Sequence, residues 1–343
     1  MSTASKKRRR RKTIQKWRHR KSKNSQSIQK ALFGETAKAF FDLQKLKYER
    51  CLEPAMTCDE KPIRAHSIQN SHVLDRLQAN GHVIMPRVKL WRDKAPTVEF
   101  EKVGRNEAST FTGLCSKHDT ELFKTIDNDP FDPNNEEHKR LLAYRSVMHE
   151  LHTQLESALR IQAVHDDLVR RGKAPADKPS PSGLATIQAF EKAWRVYRYR
   201  ARHFDAEKPS ELEDEIIELA DQPAVIAVSC LFSVDFTKEG DIIGPTLNVI
   251  PLDENRTIVI ISYPKKQREQ VRKALNAVLS APKEKQKLEL SKLIVHRVEN
   301  FALSPTHYEA WSQEKQKLIT GEYQRSAMSS SLDATGQKDL MLF

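Results

Sequence analysis

Residues 51–77 read CLEPAMTCDEKPIRAHSIQNSHVLDRL, and residues 108–126 read ASTFTGLCSKHDTELFKTI. Together they hold three of the four cysteines of the chain, and the second stretch contains a Cys-x-x-His pair. Such a pair entering a helix places both ligand atoms on one side of the first turn, where they can share a metal ion. Four thiolate and imidazole ligands are typical of tetrahedral zinc, so the sequence predicts a structural zinc site. Its first predicted set of ligands is Cys51, Cys58, Cys115 and His118.

His66 offers an alternative ligand. It follows Ala65 and lies between Ile63 and Ile68, in an alternation that predicts a short strand. In the second predicted ligand set, His66 replaces Cys51. If the first set binds the metal, His66 is free, and it is then either an ordinary strand histidine or a catalytic group.

These residues also resemble a known zinc fold. The pattern looks like the treble-clef zinc fold: it has a stretch with two cysteines, an Ala-His dipeptide on a strand, and a later Cys-x-x-His at the start of a helix. HNH endonucleases use a ββα version of this fold. The chain is similar, too, to uncharacterised bacterial proteins that share Ala-His-Ser-Ile-Gln (here 65–69), Gly-His-Val (81–83) and the motif from Thr110 to Asp119. The likeness covers about residues 48–127.

The HNH resemblance implies a metal-dependent endonuclease, with a role in bacterial defence against phage or mobile DNA. It implies that His66 is the general base that activates water and that Asn70 or Gln69 orients His66. It also implies that His118 binds metal. Cleavage would use a catalytic Mg²⁺ or Mn²⁺ near the scissile phosphate. The sequence departs from the family, since Ala65 stands where HNH enzymes usually carry His or Asp. A closed set of four protein ligands also leaves no position for water.

Positive charge is concentrated at one end of the chain. The sequence has 58 Lys and Arg against 46 Asp and Glu, a net charge of +12. Thirteen of these cations stand in residues 1–30, where no acid occurs, so the rest of the chain is nearly neutral. Residues 1–30 are therefore predicted to be a disordered basic tail that binds nucleic acid through its phosphates, or an import signal in a nuclear protein.

Several classes of function find no support. The sequence contains no run of 18 apolar residues, so no membrane span is predicted. The first cations are not followed by the apolar segment of a secretory signal, so a cytoplasmic protein is expected. No Gly-x-x-x-x-Gly-Lys-Ser/Thr motif indicates ATP binding. Cys230 lies in an apolar run and is predicted to be a core residue. His149 and His152 lie three residues apart on a helix, and a structural role is predicted for both.

The predicted fold class is α+β, with a treble-clef-like zinc module, a helical pair and a C-terminal mixed α/β domain with a small sheet. The predicted segments are a tail (1–30), a helix plus the zinc module (31–130), the helical pair (139–205), the C-terminal domain (211–323) and a disordered tail (324–343).

Hydrophobic periodicity places the individual elements. Helices are predicted over Ser27–Arg50, Lys139–Arg171, Ser182–His203, Leu212–Ala220, Lys265–Leu279, Lys283–Arg297 and Ser304–Ile319. Strands are predicted over Ala224–Phe236, Leu247–Leu252 and Thr257–Tyr263, the last two joined by a hairpin turn. The end of the chain, Leu-Met-Leu-Phe, is expected to dock on the fold.

Two hypotheses of function follow. The first is a zinc-containing nucleic-acid-binding protein with HNH-like endonuclease activity. The second is a non-catalytic protein in which zinc stabilises the N-terminal module and the C-terminal domain binds a protein partner. The arginines of residues 195–202, interleaved with aromatic residues, indicate either packing of long side chains or a face that grips nucleic acid. The sequence does not indicate an oligomeric state.

Overall fold

The computed structural model describes residues 36, 38–91, 95–219, 221–328 and 339–343. The predicted basic tail lies outside the described residues. The described chain is a mixed α+β protein, as predicted, and it divides into a smaller and a larger unit.

Eleven strands occur in the described residues: β1 (Ala65–His66), β2 (His82–Lys89), β3 (Thr97–Gly104), β4 (Thr110–Phe111), β5 (Leu212–Leu219), β6 (Ile226–Leu231), β7 (Asp235–Phe236), β8 (Ile242–Ile243), β9 (Thr246–Pro251), β10 (Thr257–Pro264) and β11 (Phe301–Leu303).

The helices are α1 (residues 38–43), α2 (Asp75–Leu77), α3 (Ser116–Asn128), α4 (Glu136–Arg170), α5 (Pro181–His203), α6 (Arg268–Ala274), α7 (Asn276–Leu279), α8 (Lys283–Arg297), α9 (Pro305–Glu309) and α10 (Gln313–Met328). A π-helical turn (Asn70–Leu74) precedes α2, and a 3₁₀ turn (Lys265–Gln267) precedes α6.

The described part of the smaller unit comprises residues 36, 38–46, 90–91, 95–96 and 160–186. In its described part, Ala39 of α1 packs against Val164 and Leu168 of α4. The helix predicted over Ser27–Arg50 ends earlier than predicted, since residues 44–50 are not helical, and its predicted part 27–35 lies outside the described residues.

The larger unit contains a seven-stranded antiparallel sheet of order β3-β2-β11-β6-β9-β10-β5. The two residues of each cross-strand pair lie on the same face of the sheet, and successive pairs lie on opposite faces. Val249 and Val259 join the core beneath α8, whereas Ile250 and Ile258 join the core beneath residues 70–77. Because both faces are covered, β6, β9 and β10 are buried at every residue, which explains their uninterrupted apolar runs.

The sheet is larger than the predicted small C-terminal sheet. Strands β2 and β3 come from the segment assigned to the zinc module, yet β2 pairs with β11 through Leu303 and Ile84. This pairing joins residues more than 200 positions apart, and no local pattern encodes it.

The helix predicted over Leu212–Ala220 is wrong, because Leu212–Leu219 forms the edge strand β5. All eight residues pair in register with β10. Its acidic side chains form ion pairs with other elements: Glu215 pairs with Arg272 at 2.8 Å, and Asp214 pairs with the buried Lys139 at 3.3 Å. Pairing along the whole strand outweighs local propensity.

The predicted disorder of residues 324–343 also requires correction. Helix α10 continues to Met328, and residues 339–343 are described, while 329–338 are not. The expected docking of the chain end is confirmed, since Leu340 and Leu342 are buried in the core. The backbone N–H of Leu342 donates to Ser291 Oγ at 3.0 Å.

Other predicted elements are confirmed. The two long helices α4 and α5 match the predicted spans to within three residues, and β9 and β10 form the predicted hairpin. The helix predicted to begin at Ser304 is interrupted, however, so that α9 ends at Glu309 and α10 starts at Gln313.

Candidate metal centre

Four side chains from the two opening stretches of sequence converge in the larger unit. One ligand atom from each lies within 4.8 Å of the others, in the group Cys51, Cys58, Cys115 and His118. The Sγ atoms of Cys58 and Cys115 are 3.9 Å apart. His118 Nδ1 lies 3.4 Å from Cys51 Sγ and 3.3 Å from Cys115 Sγ. The structure thus brings together the first predicted ligand set.

The spacing of these atoms fits a tetrahedral zinc ion. Zinc–sulfur bonds of about 2.3 Å and zinc–nitrogen bonds of about 2.0 Å give tetrahedral edges of roughly 3.8 Å between two sulfurs and roughly 3.5 Å between sulfur and nitrogen. The sulfur–sulfur and both sulfur–nitrogen distances lie close to these values. The group can therefore hold a metal ion such as zinc, and four protein ligands complete the coordination that zinc takes in closed sites.

Backbone pairing positions the two stretches against each other. The N–H of Leu52 donates to the carbonyl of Gly113 at 2.7 Å, and the N–H of Ile63 donates to the carbonyl of Leu114 at 2.7 Å. These two bonds flank the loop that carries Cys58, and Cys51 directly precedes the first of them. They fix this loop beside the N-terminus of α3.

Glu53 closes the loop between the first two cysteines. Its buried carboxylate accepts hydrogen bonds from the backbone N–H groups of Ala55, Thr57 and Cys58. Burial raises the pKa of this carboxyl, but the N–H donors outweigh burial and the pKa is lowered. An ionised acceptor inside the loop holds the turn in which Met56 takes a positive φ of 57°.

Cys115 stands at the N-terminal cap of α3. Burial raises the pKa of its thiol, but hydrogen bonds from the backbone N–H of His118 and from the other two cysteines outweigh burial and lower the pKa. Burial raises the pKa of Cys51 to about 11. The protein environment therefore favours ionisation at Cys115 and disfavours it at Cys51, and a bound cation would favour the ionised form at all three cysteines.

A buried arginine supports the loop from α5. The Arg200 side chain is 0% exposed, and its Nη1 donates to the carbonyl of Leu52 at 2.7 Å. Its Nε lies 2.6 Å from Asp205 Oδ2, and its guanidinium lies over the Tyr197 ring. The sequence pattern indicates only that Arg200 belongs to a basic helix face. It does not show that the Arg200 side chain is buried.

His66 lies outside the group of four in the described part of the chain. It pairs with Thr110 between β1 and β4, and its Nε2 lies 3.2 Å from the carbonyl oxygen of Arg105. A carbonyl only accepts, so Nε2 carries the proton and Nδ1 carries the lone pair. Burial lowers the pKa of His66, which favours the neutral ring.

The residues predicted to orient His66 have other partners. Asn70 Nδ2 donates to Asn106 Oδ1 at 3.1 Å, and Gln69 Nε2 donates to the carbonyl of Ile126 at 2.8 Å. Gln69 thereby holds the C-terminal end of α3. Neither forms a hydrogen bond with His66 in the described structure.

The structural role predicted for His149, His152 and Cys230 fits their positions. His149 packs edge-on against Phe111, and His152 bonds Thr112 Oγ1 at 2.9 Å. Cys230 is 5% exposed within the main core.

The chain was compared with protein-family models, curated proteins and solved structures, and none of them matches it. None of the helices among the described residues combines the length and apolar character needed to cross a membrane. Fold and site define an α+β protein with a Cys₃His group that can hold a metal ion.

Proposed function

We propose that this protein is a zinc-containing nucleic-acid-binding protein in which zinc has a structural role. The observation that supports it best is the convergence of four donor atoms at tetrahedral spacing, two from each of two separate segments of the chain. Zinc held by four protein ligands stabilises a fold and keeps no open position for a substrate.

The nucleic-acid part of the proposal rests on residues 1–30. Thirteen Lys and Arg without an acid make a polycation attached to a nearly neutral chain. Each phosphate that such a segment neutralises releases counterions and steepens the dependence of affinity on salt. The segment supplies affinity without sequence specificity, so DNA and RNA are both candidate ligands.

HNH-like cleavage is a second candidate, and one observation favours it. His66 Nδ1 carries the lone pair and has no hydrogen-bond partner among the described residues, while the Arg105 carbonyl fixes the ring. A histidine held in this way can act as a general base. Cleavage would also need Mg²⁺ or Mn²⁺ at a position other than the four-ligand group.

The rival hypothesis is a non-catalytic interaction protein that binds a protein partner through its C-terminal region.

Elemental analysis is the first test: we expect one zinc per chain in the wild type and less than about 0.2 zinc per chain in Cys115→Ser. A wild-type protein without zinc, prepared without chelators, would refute the structural role of the metal.

Deletion of residues 1–30 tests nucleic-acid binding. The full chain should bind labelled DNA and RNA with an affinity that falls steeply between 50 and 200 mM salt, and the deletion should weaken binding and flatten that dependence. Equal affinity and equal salt dependence of the two proteins would reject the tail as the binding segment.

Plasmid nicking with Mg²⁺ or Mn²⁺ separates the two candidates. If His66→Ala keeps one zinc and loses nicking, the nuclease hypothesis stands. If the wild type binds nucleic acid and does not nick it, the protein binds without cleaving. A zinc-loaded protein that neither binds nor cleaves nucleic acid supports the rival hypothesis.

A further inference from the structure

One side of α5 carries large apolar side chains that remain exposed in the larger unit. Ile187 is 67% exposed, Phe190 45% and Trp194 55%, and the half-buried Tyr197 follows one turn further on. Spacings of three, four and three residues place these four side chains along one side of the helix. We call Ile187, Phe190, Trp194 and Tyr197 the α5 stripe.

The α5 stripe is not the core-facing side of its helix. The buried residues of α5 include small ones, among them Ala189 and Ala193, so that its largest apolar side chains point away from the core. Three of the nine large apolar side chains that are exposed in the described residues fall within residues 187–194, so they are clustered rather than scattered. Clustered exposed apolar side chains mark an interaction surface.

The side chains of this surface are already ordered. Trp194 stacks on Tyr197 with ring centroids 5.3 Å apart and an angle of 18° between the rings. Next to them, Arg195 pairs with Glu191 at 2.6 Å. A surface whose side chains are held in place loses little conformational entropy on binding, and Trp, Tyr and Arg are the residues that contribute most to protein–protein interfaces.

The spacing of the α5 stripe is symmetric, which suits a second copy of the same helix. In an antiparallel pair with a two-fold axis beside residue 192, Ile187 lies opposite Tyr197 of the second copy, and Phe190 lies opposite Trp194 of the second copy. Every apolar residue of the stripe then meets an apolar residue. An interface with two-fold symmetry needs this self-complementarity.

The charges beside the α5 stripe are also self-complementary. Glu191, Arg195 and Arg198 lie on one flank of the stripe, and in an antiparallel pair this flank faces the same flank of the second copy. Glu191 of each copy therefore comes close to Arg195 and Arg198 of the other copy. Arg198 also pairs with Asp241 of its own chain at 2.8 Å. Lys192 points away from the stripe, so the axis does not bring two lysines together.

The exposed area of the α5 stripe fits a small interface. At roughly 200 Å² for a large apolar side chain, the exposed fractions of Ile187, Phe190 and Trp194 amount to roughly 330 Å². A small interface buries about 600 Å² per partner, and a little more than half of that area is apolar. The stripe therefore supplies the apolar part of a weak dimer interface, but not that of an obligate dimer.

We propose that the α5 stripe binds the α5 stripe of a second copy in antiparallel orientation, so that the protein forms a weak dimer with two-fold symmetry. This inference does not depend on zinc or on nucleic-acid binding, and its failure would leave both unaffected.

Sedimentation of the full chain over a range of concentrations tests the proposal. We expect a monomer–dimer equilibrium with a dissociation constant on the order of 10 µM. Ile187→Glu places a charge opposite Tyr197 and should weaken the dimer at least about tenfold. The matched control is Ile216→Glu, the same change at an isoleucine of β5 that is 46% exposed, and it should dimerise as the wild type does. An equal melting temperature of Ile187→Glu and the wild type in dilute solution confirms folding.

Disulfide cross-linking tests the orientation. A mixture of Phe190→Cys and Trp194→Cys should cross-link above the level of either variant alone, because an antiparallel pair places residue 190 opposite residue 194. Equal cross-linking of the single variants and the mixture would refute the antiparallel pair. A wild type that stays a monomer at 100 µM, about ten times the expected dissociation constant, or a dimer that Ile187→Glu leaves intact, would overturn the proposal. A monomer whose affinity for DNA or RNA falls in Ile187→Glu would also overturn it and assign the stripe to nucleic acid.

Discussion

The carboxylate of Glu53 accepts a hydrogen bond of 3.1 Å from the backbone N–H of Cys58, the second cysteine of the candidate metal centre. The same carboxylate accepts from Ala55 and Thr57, so one side chain closes the whole loop that starts at Cys51. The loop geometry is therefore built by the protein chain, and a metal ion would meet two cysteines already held near their binding positions.

Glu53→Gln should weaken metal binding while the four ligands remain intact. Glutamine has one acceptor oxygen, and its NH₂ group would face backbone N–H groups that need acceptors. We expect zinc affinity to fall about 10- to 100-fold, as for other residues that orient metal ligands. Competition with a chromophoric chelator measures this affinity. Glu60→Gln, an exposed change just beyond the same loop, is the control, and identical affinities for the two variants would contradict the role of Glu53.

Removal of the metal should loosen the pairing of the two stretches and spare the sheet. The amide groups of Leu52 and Ile63 bond to the stretch that carries Cys115, so they report on that pairing. After chelation or in Cys115→Ser, we expect their hydrogen exchange to become at least about tenfold faster. The amides of Val249 and Val259, in the middle of the sheet, serve as the internal control. Unchanged exchange at Leu52 and Ile63 would mean that the metal does not hold the stretches together.

The ligand set was predictable because its signal is local. Three clustered cysteines and a Cys-x-x-His pair indicate shared ligation before any fold is known, and Cys115 indeed lies at a helix start. The supporting residues were not predictable in this way. Glu53 appears in the sequence as an ordinary loop acid, and Arg200 as one of four alternating arginines, and only burial sets them apart.

The sheet, too, could be predicted from the sequence only where the signal is local. The apolar runs of β6 and β10 are visible in the sequence, as is the hairpin between β9 and β10. The assignment of β5 failed because an acidic strand is stabilised by its register with β10 and by cations of other elements. The place of β2 beside β11 depends on contacts across more than half of the chain, which periodicity does not contain.

Arg200→Met should strongly destabilise the protein. The substitution keeps much of the length of the side chain but leaves the carbonyl of Leu52 and the carboxylate of Asp205 without their cation. Removal of one partner from a buried ion pair costs about 3–5 kcal/mol. Urea denaturation measures the change. Arg202→Met is the matched control, since Arg202 pairs with Asp241 from a half-exposed position and should cost less than about 1 kcal/mol. Similar losses in both variants would show that the position of Arg200 is not special.

His203 should make the protein less stable in mild acid. Burial, and then the charge of Arg202, lowers the pKa of His203 to about 4, and its Nδ1 lies 2.7 Å from Ser210 Oγ. In the unfolded chain the pKa of histidine is about 6.5. Above that pH neither state binds the proton, so His203 leaves stability unchanged; between pH 6.5 and 4 the unfolded state binds it first, and stability falls.

Urea denaturation at pH 7 and pH 5 measures this loss in the wild type and in His203→Gln. Glutamine does not titrate, so the variant should lose about 1–2 kcal/mol less than the wild type between the two pH values. His82→Gln, at an exposed position, is the control and should behave as the wild type does. If His203→Gln and the wild type lose the same stability, then His203 takes up its proton as readily in the folded protein as in the unfolded chain.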